Sequence, residues 1–356
     1  MVGLKVKSKR TYANTDPQDR CYPCPCPHSR PELTNAVTGD PQNSQAEFWV
    51  IIDTGSSDLW VASVYCQSPS CYMDLLCWQL HTGHMTPKMS TTFQCKWRKL
   101  DLHYGFGKIT GVLASETIRI GTAVAKNQTI GLTKSKIGGF LENSPYDGVL
   151  GLAYPSLTRR EANPLFDNLK RQGVISQPVF ALFLSSWPQK SSLLLLGGVD
   201  HAYHKGDLKW VPVTQAHLWQ IAVDRISINK MVVACSGGCQ AIVDSGSSVL
   251  AGPTQVVRNI FKHTKPNPKE KSQSLISCDR SKALPPIIFT INGMDFPVSP
   301  KYYLQKVSKD ICFISFHGGT EDRSPSETWI LGDIFLRAYF TVFDWGNYRL
   351  SLAPSV

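Results

Sequence analysis

The sequence contains no long hydrophobic run. Its longest uninterrupted aliphatic stretch is Leu193–Leu196, which two glycines follow. A membrane-spanning helix needs about 20 apolar residues, so we expect no membrane-embedded segment. The amino end also lacks the apolar core of a secretory signal, because Met1–Arg10 is basic. Either a signal has been removed from this version of the chain or its amino end is unusual.

Convincing helical patterns are few, whereas turn-forming residues are frequent. The 356 residues include 26 glycines and 23 prolines, and short apolar stretches alternate with them. This pattern favours β structure. We predict only a few helices, chiefly Pro164–Gly173, which Gly173 ends, and Gln255–Phe261. A hydrophobic fraction of 42% excludes wholesale disorder, and the length predicts two domains or one two-lobed body.

The formal charge of +10 is not concentrated in one place. Residues 1–30 carry a net charge of +4 and residues 263–282 a net charge of +3, the latter around two prolines typical of a solvated loop. A nucleic-acid-binding protein gathers its positive charge on one face or along one helix. We therefore expect a soluble basic surface, no nucleic-acid partner and no membrane partner.

The 11 cysteines lack the paired spacing of a zinc finger or zinc ribbon. Cys66 and Cys71, like Cys235 and Cys239, are separated by short loops of a size that disulfides commonly close. Paired cysteines indicate an oxidising compartment, and the odd total leaves at least one thiol without a partner in the chain. His201, His204 and His217 lie near one another in sequence, and we interpret them as surface residues. We expect no metal site among these residues.

The most informative feature is an internal repeat. The apolar run Phe48–Ile52 leads into Asp53–Ser57 (DTGSS), and the apolar run Ala241–Val243 leads into Asp244–Ser248 (DSGSS). An apolar pair followed by glycine lies downstream of each, in Val149–Gly151 and in Ile330–Gly332. A single such loop is a weak signal, because aspartate, serine and glycine are ordinary turn formers. Two copies in equivalent settings predict two halves that present the same loop.

The repeated loops suit acid–base chemistry by a pair of carboxylates. A carboxylate at the end of an apolar strand is costly to bury unless hydrogen bonds or a shared proton satisfy it. Gly55 and Gly246 allow backbone amides to approach, and the serines supply hydroxyl partners. If a pseudo-twofold axis relates the halves, Asp53 and Asp244 meet and share one proton, as in aspartic proteases. Such a pair can activate a water molecule and protonate a carbonyl oxygen.

Several motifs resemble the pepsin-like aspartic proteases, most closely the gastric and placental branch that includes pepsins and pregnancy-associated glycoproteins. The similar segments are Phe48–Cys71, Tyr146–Pro155, Trp210–Thr214, Cys235–Thr254, Trp329–Arg337 and Tyr339–Pro354. The resemblance implies an all-β-dominated, bilobal pepsin-like fold with pseudo-twofold related lobes, a few short helices and a substrate cleft between the lobes. It also implies no metal and no organic cofactor. We assign residues 47–205 to the amino-terminal lobe, residues 206–356 to the carboxy-terminal lobe, and residues 1–46 to an atypical segment.

The resemblance also assigns roles to individual residues. It makes Asp53 and Asp244 the catalytic pair and places a substrate-binding flap hairpin at Tyr104-Gly105. The residues that it implies for substrate binding and the flap are Gly55, Ser56, Trp60, Tyr104, Gly105, Phe106, Gly246 and Ser247. It implies the disulfides Cys66–Cys71, Cys235–Cys239 and Cys278–Cys312. The sequon at Asn127 predicts a glycosylation site in a secreted protein.

Several residues depart from the family pattern. Phe106 stands where a threonine is usual, Lys108 replaces a small polar residue, and an insertion after Cys71 leaves open an extra Cys77–Cys95 disulfide. The family's tyrosine-rich strand before the first catalytic strand is absent; Leu4–Arg10 resembles the basic part of a zymogen prosegment or is an unstructured tail.

We expect a secreted, monomeric aspartic endopeptidase that cleaves peptide or protein substrates at acidic pH and binds statine-type inhibitors. The alternative is a catalytically weak or inactive secreted glycoprotein of the same fold that binds peptides. The intact Asp53 and Asp244 loops favour the enzyme, whereas Phe106, Lys108 and the altered amino end favour the alternative.

Overall fold

The computed structural model describes residues 2–6, 34–38, 47–63, 65–68, 71, 92–105, 107–142, 146–158, 162–186, 191–264, 274–321 and 326–356. These residues form two compact units. The first contains the described residues up to Pro178 together with Ser192–Gly198, and the second contains Val179–Ser191 and Val199–Val356. Within the described ranges, no helix is both long and apolar enough to cross a membrane.

The first unit is built on a seven-stranded sheet with the order β2-β3-β8-β4-β7-β6-β5. The strands of this unit are β1 (Val2–Val6), β2 (Thr34–Thr38), β3 (Glu47–Asp53), β4 (Leu59–Ala62), β5 (Gln94–Tyr104), β6 (Gly107–Ile120), β7 (Ala123–Ile137), β8 (Gly148–Gly151) and β10 (Ser192–Leu196). Its helices are Gly139–Glu142 and Leu165–Arg171, with a short 3₁₀ turn at Pro155–Leu157. Strand-rich halves and few helices agree with the fold class that the sequence predicts.

A hydrophobic cluster supports the long β5–β6 hairpin. Successive side chains of a strand point to opposite faces, so alternate residues of β5 and β6 enter this cluster. Its buried members are Ile51, Trp60, Leu100, Leu102, Ile109, Leu113, Leu141, Tyr146 and Val149. Tyr104, at the end of β5, packs against the cluster and is partly buried. Burial of each large apolar side chain contributes about 1.5–3 kcal/mol, which fixes the base of the hairpin.

The helix Leu165–Arg171 confirms the sequence prediction, including its end. Leu165, Phe166 and Leu169 are buried on one face, as their helical spacing requires. Gly173 has a φ of +67°, and its N–H donates to Lys170 O at 3.0 Å. The next amide, of Val174, donates to Leu169 O at 3.0 Å. This pair of bonds is a Schellman motif, which requires the left-handed conformation that glycine adopts at low cost.

Asp167 in this helix is expected to make stability fall as pH rises. Burial raises the pKa of Asp167 from 3.8 to about 6, against the opposing attraction of Lys170. The folded state therefore binds a proton more tightly than the unfolded state, so stability decreases between about pH 4 and pH 6. Asp167→Asn should add about 1 kcal/mol at pH 7, allowing for the exposed part of the side chain, and nothing at pH 3. Urea unfolding at both pH values measures this, with the exposed Asp310→Asn as control. An equal gain at both pH values would contradict the titration argument.

The second unit contains one large sheet and two small ones. The large sheet runs β9-β24-β25-β11-β12-β15-β23-β16-β22, and the small ones run β14-β13-β18-β19 and β17-β21-β20. The strands are β9 (Val179–Phe183), β11 (Lys209–Ala216), β12 (Trp219–Val223), β13 (Arg225–Ile228), β14 (Met231–Ala234), β15 (Cys239–Val243), β16 (Leu250–Gly252), β17 (Leu275–Ser277), β18 (Ile287–Ile291), β19 (Met294–Val298), β20 (Leu304–Lys306), β21 (Ile311–Ile314), β22 (Phe316–Gly318), β23 (Thr328–Leu331), β24 (Tyr339–Asp344) and β25 (Arg349–Pro354). The helices are Thr254–Thr264, Pro300–Tyr303 and Asp333–Ala338, and the 3₁₀ helices are His201–Tyr203 and Cys278–Ala283. The first of these helices contains the predicted Gln255–Phe261.

Aromatic side chains fill the core of the large sheet. Phe180 stacks on Phe343 with ring centroids 4.6 Å apart, and Trp219 meets both rings edge-on. All three side chains are almost completely buried. Edge-to-face and stacked pairs contribute about 0.5–1.5 kcal/mol beyond the burial of their area. Side-chain packing therefore joins β12 to β9 and β24, two strands that backbone hydrogen bonds already pair.

The cysteines implied to pair do so in the structure. Disulfides join Cys66 to Cys71, Cys235 to Cys239, and Cys278 to Cys312. Among the described cysteines, Cys95 is a free thiol. The expectation of a Cys77–Cys95 bridge involves a residue outside the described ranges, as do Cys21, Cys24 and Cys26.

The amino-terminal segment contains two strands that the sequence did not predict. Thr34–Thr38 pairs antiparallel with Glu47–Asp53, so a strand without tyrosine lies beside the strand that leads into Asp53. Val2–Val6 pairs antiparallel with Ser192–Leu196, so an unstructured tail is wrong for these residues. The remainder of Leu4–Arg10 lies outside the described ranges. Strand pairing uses backbone groups that every non-proline residue carries, so an open edge accepts a segment with no recognisable side-chain pattern.

Candidate active site

The first aspartate loop holds its carboxylate with a backbone donor and a hydroxyl donor. Asp53 is the last residue of β3 and is only 4% exposed. The backbone N–H of Gly55 donates to Asp53 Oδ1 at 2.8 Å, and the hydroxyl of Ser56 donates to Asp53 Oδ2 at 2.5 Å. Hydrogen bonds to a carboxylate stabilise its charged form, so this loop offsets the cost of burial. Both donors belong to the loop that the internal repeat singles out.

The parallel pair of strands β3 and β8 supports this loop. Strand β3 pairs with β8 so that Asp53 lies opposite Gly151. Leu152 N donates to Asp53 O at 2.8 Å, and Gly151 N donates to Asp58 O at 3.0 Å. A Cβ atom on Gly151 would lie 2.5 Å from the backbone of Ser57, so no larger residue fits there. The downstream glycine of the repeat therefore allows the aspartate loop to close against β8.

The second loop repeats this construction. Asp244 follows β15, and the N–H of Gly246 donates to Asp244 Oδ1 at 2.8 Å. Strand β15 runs parallel to β23 and pairs Val243 with Leu331. A Cβ atom on Gly332 would lie 2.3 Å from Ser247 O. Both halves thus bond an aspartate to the amide two residues ahead and pack the loop on a glycine that admits no side chain.

The two loops differ in the part played by their serines. In the second loop, Ser247 N donates to Asp244 O at 3.2 Å, and Ser247 O accepts from Asp333 N at 2.8 Å. Ser56 O likewise accepts from Ala153 N at 2.8 Å, so both serines anchor their loops through the backbone. Ser56 in addition reaches its aspartate through the hydroxyl. Asp244 is also more exposed than Asp53. The environments of the two carboxylates are accordingly unequal.

The β5–β6 hairpin brings Tyr104 to Trp60. Tyr104 lies opposite Gly107 at the end of the hairpin, and Gly105 between them is exposed. Trp60 Nε1 donates to Tyr104 OH at 2.7 Å, and the two rings lie 6.4 Å apart at 51°. The structure thus joins the tyrosine and the tryptophan that the resemblance pairs. Phe106 lies outside the described residues.

Tyr104 is electrostatically coupled to the first aspartate. Burial raises the pKa of Tyr104 far above its ordinary value of 10.0, the negative charge of Asp53 raises it further, and the hydrogen bond from Trp60 opposes both. The phenol therefore remains protonated at acidic and neutral pH. It accepts a hydrogen bond from Trp60 and keeps its own proton to donate. Asp58 adds a smaller effect of the same sign, which no motif in the sequence indicated.

Removing the indole donor should weaken turnover without unfolding the protein. Trp60→Phe keeps most of the buried ring but deletes the hydrogen bond to Tyr104. The loss of one neutral bond, about 0.5–1.5 kcal/mol, corresponds to a roughly 2- to 12-fold lower kcat/KM. Steady-state hydrolysis of a neutral peptide measures this. Trp219→Phe is the control, because it removes the indole of a fully buried tryptophan in the second unit. Equal kcat/KM for Trp60→Phe and wild type would show that the bond does not position the flap.

Lys108 does not present an isolated cation on the hairpin. Its Nζ lies 3.1 Å from Asp101 Oδ2, and His103 Nε2 lies 3.1 Å from Asp101 Oδ1. The register places His103 opposite Lys108, so Asp101 lies between two basic groups. The Asp101 carboxylate thus offsets the positive charge that Lys108 brings to the hairpin. Exposed pairs of this kind contribute little, about 0–1 kcal/mol.

One cluster has residue types that could bind a metal ion, but two of its members are joined by a disulfide. Among the described residues, Cys235, Cys239 and Glu327 bring their ligand atoms within 4.8 Å of one another. The two sulfurs form a disulfide. Glu327 accepts from the backbone N–H of Cys235 and from Trp329 Nε1 at 2.9 Å. These bonds give the cluster a structural role beside β23.

Comparisons with known proteins agree with this geometry. A family model described as eukaryotic aspartyl protease matches residues 37–355. Pepsin F of Oryctolagus cuniculus is 45% identical over 311 residues, which cover 87% of this chain and 78% of the relative. A pregnancy-associated glycoprotein of Equus caballus is 46% identical over 313 residues, with 87% and 78% covered. Pepsin A of Sus scrofa is 44% identical over 308 residues, with 86% and 78% covered.

Proposed function

Since the chain belongs to the eukaryotic aspartyl protease family, we propose that it hydrolyses peptide bonds at acidic pH with Asp53 and Asp244 as its catalytic pair. One observation carries this proposal. Each aspartate accepts a hydrogen bond at 2.8 Å from the backbone N–H two residues ahead. Each of the two loops is also supported in the same way, by a parallel strand pair and a downstream glycine. Turn-capping aspartates would not require this matched support nearly a hundred residues downstream.

In the proposed mechanism the two carboxylates share one proton, as is general for aspartic proteases. The ionised member takes a proton from a bound water, which attacks the scissile carbonyl carbon. The protonated member donates to the carbonyl oxygen, and the C–N bond of the resulting tetrahedral intermediate then breaks with proton transfer to the amine. Gly55, Ser56, Gly246 and Ser247 orient the carboxylates, and Tyr104, Gly105 and Phe106 close over the peptide. The titration belongs to the pair.

Hydrolysis of acid-denatured globin between pH 2 and pH 6 tests the proposal. We expect cleavage with an acidic optimum and complete inhibition by a statine-type inhibitor, which mimics the tetrahedral intermediate. No cleavage at any pH, with tight inhibitor binding retained, would support the alternative of a peptide-binding glycoprotein. That alternative draws on Phe106 and the altered amino end. Lys108 gives this alternative less support, because the carboxylate of Asp101 pairs with it and offsets its charge.

We propose further that the protein is secreted and monomeric and acts on peptide or protein substrates. Three disulfides support an oxidising compartment. The assignment of residues 1–46 to an atypical amino-terminal segment, with lobes at 47–205 and 206–356, remains a prediction, as does a zymogen form.

Asn127 is expected to carry a glycan. It is exposed, has a φ of +49° and lies at a register shift of the β6–β7 pair. The following Gln128 is buried and donates to Asn163 O at 2.7 Å, so the bulge turns Asn127 outward. Asn127→Gln in a secreting eukaryotic cell should remove the mobility shift that amidase treatment removes from the wild type. Asn229→Gln, exposed at the same φ of +49° but outside a sequon, should keep that shift. An amidase-sensitive shift in Asn127→Gln would refute the assignment.

A further inference from the structure

Two histidines in the second unit place ring nitrogens side by side. His201 begins the 3₁₀ helix His201–Tyr203, and His204 follows it. His201 Nδ1 lies 2.8 Å from His204 Nε2. The ring centroids are 5.0 Å apart and the ring planes meet at 67°. Two imidazole nitrogens therefore converge on one point from rings that are nearly perpendicular.

The surrounding structure fixes both rings. His204 stacks on Phe340 of β24 with centroids 5.3 Å apart, and its backbone forms an antiparallel bridge with Ser355. Asp200 caps the short helix by accepting from Ala202 N at 3.0 Å. His201 is exposed and His204 is partly exposed. The nitrogen pair is thus held from the protein side and can be reached from solvent.

The separation of the nitrogens suits a bound cation. Imidazole nitrogens bind zinc at about 2.0–2.1 Å, so two such ligands lie about 2.9 Å apart at 90° and about 3.4 Å apart at the tetrahedral angle. The observed 2.8 Å matches the 90° arrangement. Nitrogen ligands in a square-planar or tetragonal arrangement are typical of Cu²⁺ and Ni²⁺.

We propose that His201 and His204 form a binding site for a divalent late transition-metal ion, Cu²⁺ or Ni²⁺ in preference to Zn²⁺. The two imidazoles occupy adjacent coordination positions and water completes the shell. This departs from the expectation that these histidines are surface residues without a metal. It is independent of the aspartate loops.

Metal binding requires a tautomer change in one ring and a rotation that turns both lone pairs from each other towards the ion. In the metal-free pair one nitrogen must donate to the other. When His201 Nδ1 carries that proton, His204 already carries its own on Nδ1, the buried nitrogen for which the described residues offer no partner. Metal binding then moves one proton on His201 from Nδ1 to the exposed edge of the ring. No new polar group is buried.

Calorimetric titration with Ni²⁺ at pH 7 tests the site. Free thiols are alkylated first, because cysteine also binds such ions. We expect one site in the full-length protein, and an affinity at least about tenfold lower in His201→Ala and in His204→Ala, since even a supporting residue of a metal site is worth about 10- to 100-fold. His217→Ala and His263→Ala, which remove exposed histidines elsewhere, should bind as the wild type does.

The melting temperature provides a second readout. Ni²⁺ that binds only the folded state raises the melting temperature, and His204 connects the site to β24 and to Ser355. The rise should appear in wild type and in His217→Ala and be absent in His201→Ala. Equal affinity and an equal rise in all variants would overturn the proposal and leave a hydrogen-bonded pair only. His201→Ala, an exposed position, keeps the test valid if His204→Ala fails to fold.

Discussion

Replacing either Asp53 or Asp244 by asparagine is expected to abolish acid proteolysis. Asparagine has the shape of aspartate, and its amide oxygen can still accept the 2.8 Å bond from Gly55 or Gly246. It cannot share a proton, so no group remains that both activates water and protonates the carbonyl. General acid–base catalysis alone is worth about 10²–10⁴-fold, and we expect kcat/KM to fall by at least about 10³-fold. Alanine variants should lose as much.

The measurement is globin or peptide hydrolysis at the wild-type optimum, with unfolding curves recorded for each variant. Asp207→Asn removes a carboxylate whose side chain is 91% exposed, and it should keep wild-type activity. Because both members act on one reaction, the double variant should lose no more than either single one. A single variant with a substantial fraction of wild-type activity would refute the paired mechanism.

Adding one methyl group at Gly332 is expected to cost both stability and activity. The Cβ of Gly332→Ala would lie 2.3 Å from Ser247 O and 2.4 Å from Val249 O. Both are backbone atoms that cannot rotate away, so β23 or the Asp244 loop must move. Overpacking a core costs about 1–3 kcal/mol, occasionally more, and we expect the upper end here. The same movement displaces the carboxylate, and about 1 Å of misplacement is worth about 10²-fold in rate.

Gly151→Ala is the equivalent change in the first unit, where the Cβ would meet the backbone of Ser57 at 2.5 Å. Gly237→Ala is the matched control, since no atom lies within 4 Å of its Cβ. Urea unfolding and kcat/KM should separate the two classes. Gly332→Ala and Gly151→Ala with the stability and activity of Gly237→Ala would show that the loops tolerate a shift of the supporting strand.

The sequence predicted most fully what is local and repeated. Apolar strands before Asp53 and Asp244, and the glycines two residues ahead, identify the loops because strand burial and turn chemistry are read within a few residues. The helix that Gly173 ends was predictable for the same reason. The downstream glycines were visible as a repeat, yet their steric role appeared only when the parallel pairing placed Gly332 on Ser247.

Other features depend on partners that no local pattern specifies. Val2–Val6 becomes a strand only because Ser192–Leu196 offers an edge. Lys108 is neutralised because the hairpin register brings it near Asp101. The half-buried Asp167 lies on a helix whose apolar spacing is ordinary, so its raised pKa follows from packing. The meeting of His201 and His204 needs a 3₁₀ turn, in which residues three apart eclipse one another.

The parallel strand pair and the glycine that support each aspartate loop also determine when that loop can form during folding. In the first unit, Ser57 Oγ bonds Tyr154 O across 97 residues, and Asp53 pairs with Gly151 at similar range. Contacts of such separation carry a large loop-closure cost and form late. Neither carboxylate can reach its final geometry on a partly synthesised half. The proposed site is therefore expected to be completed only when each half of the chain is already compact.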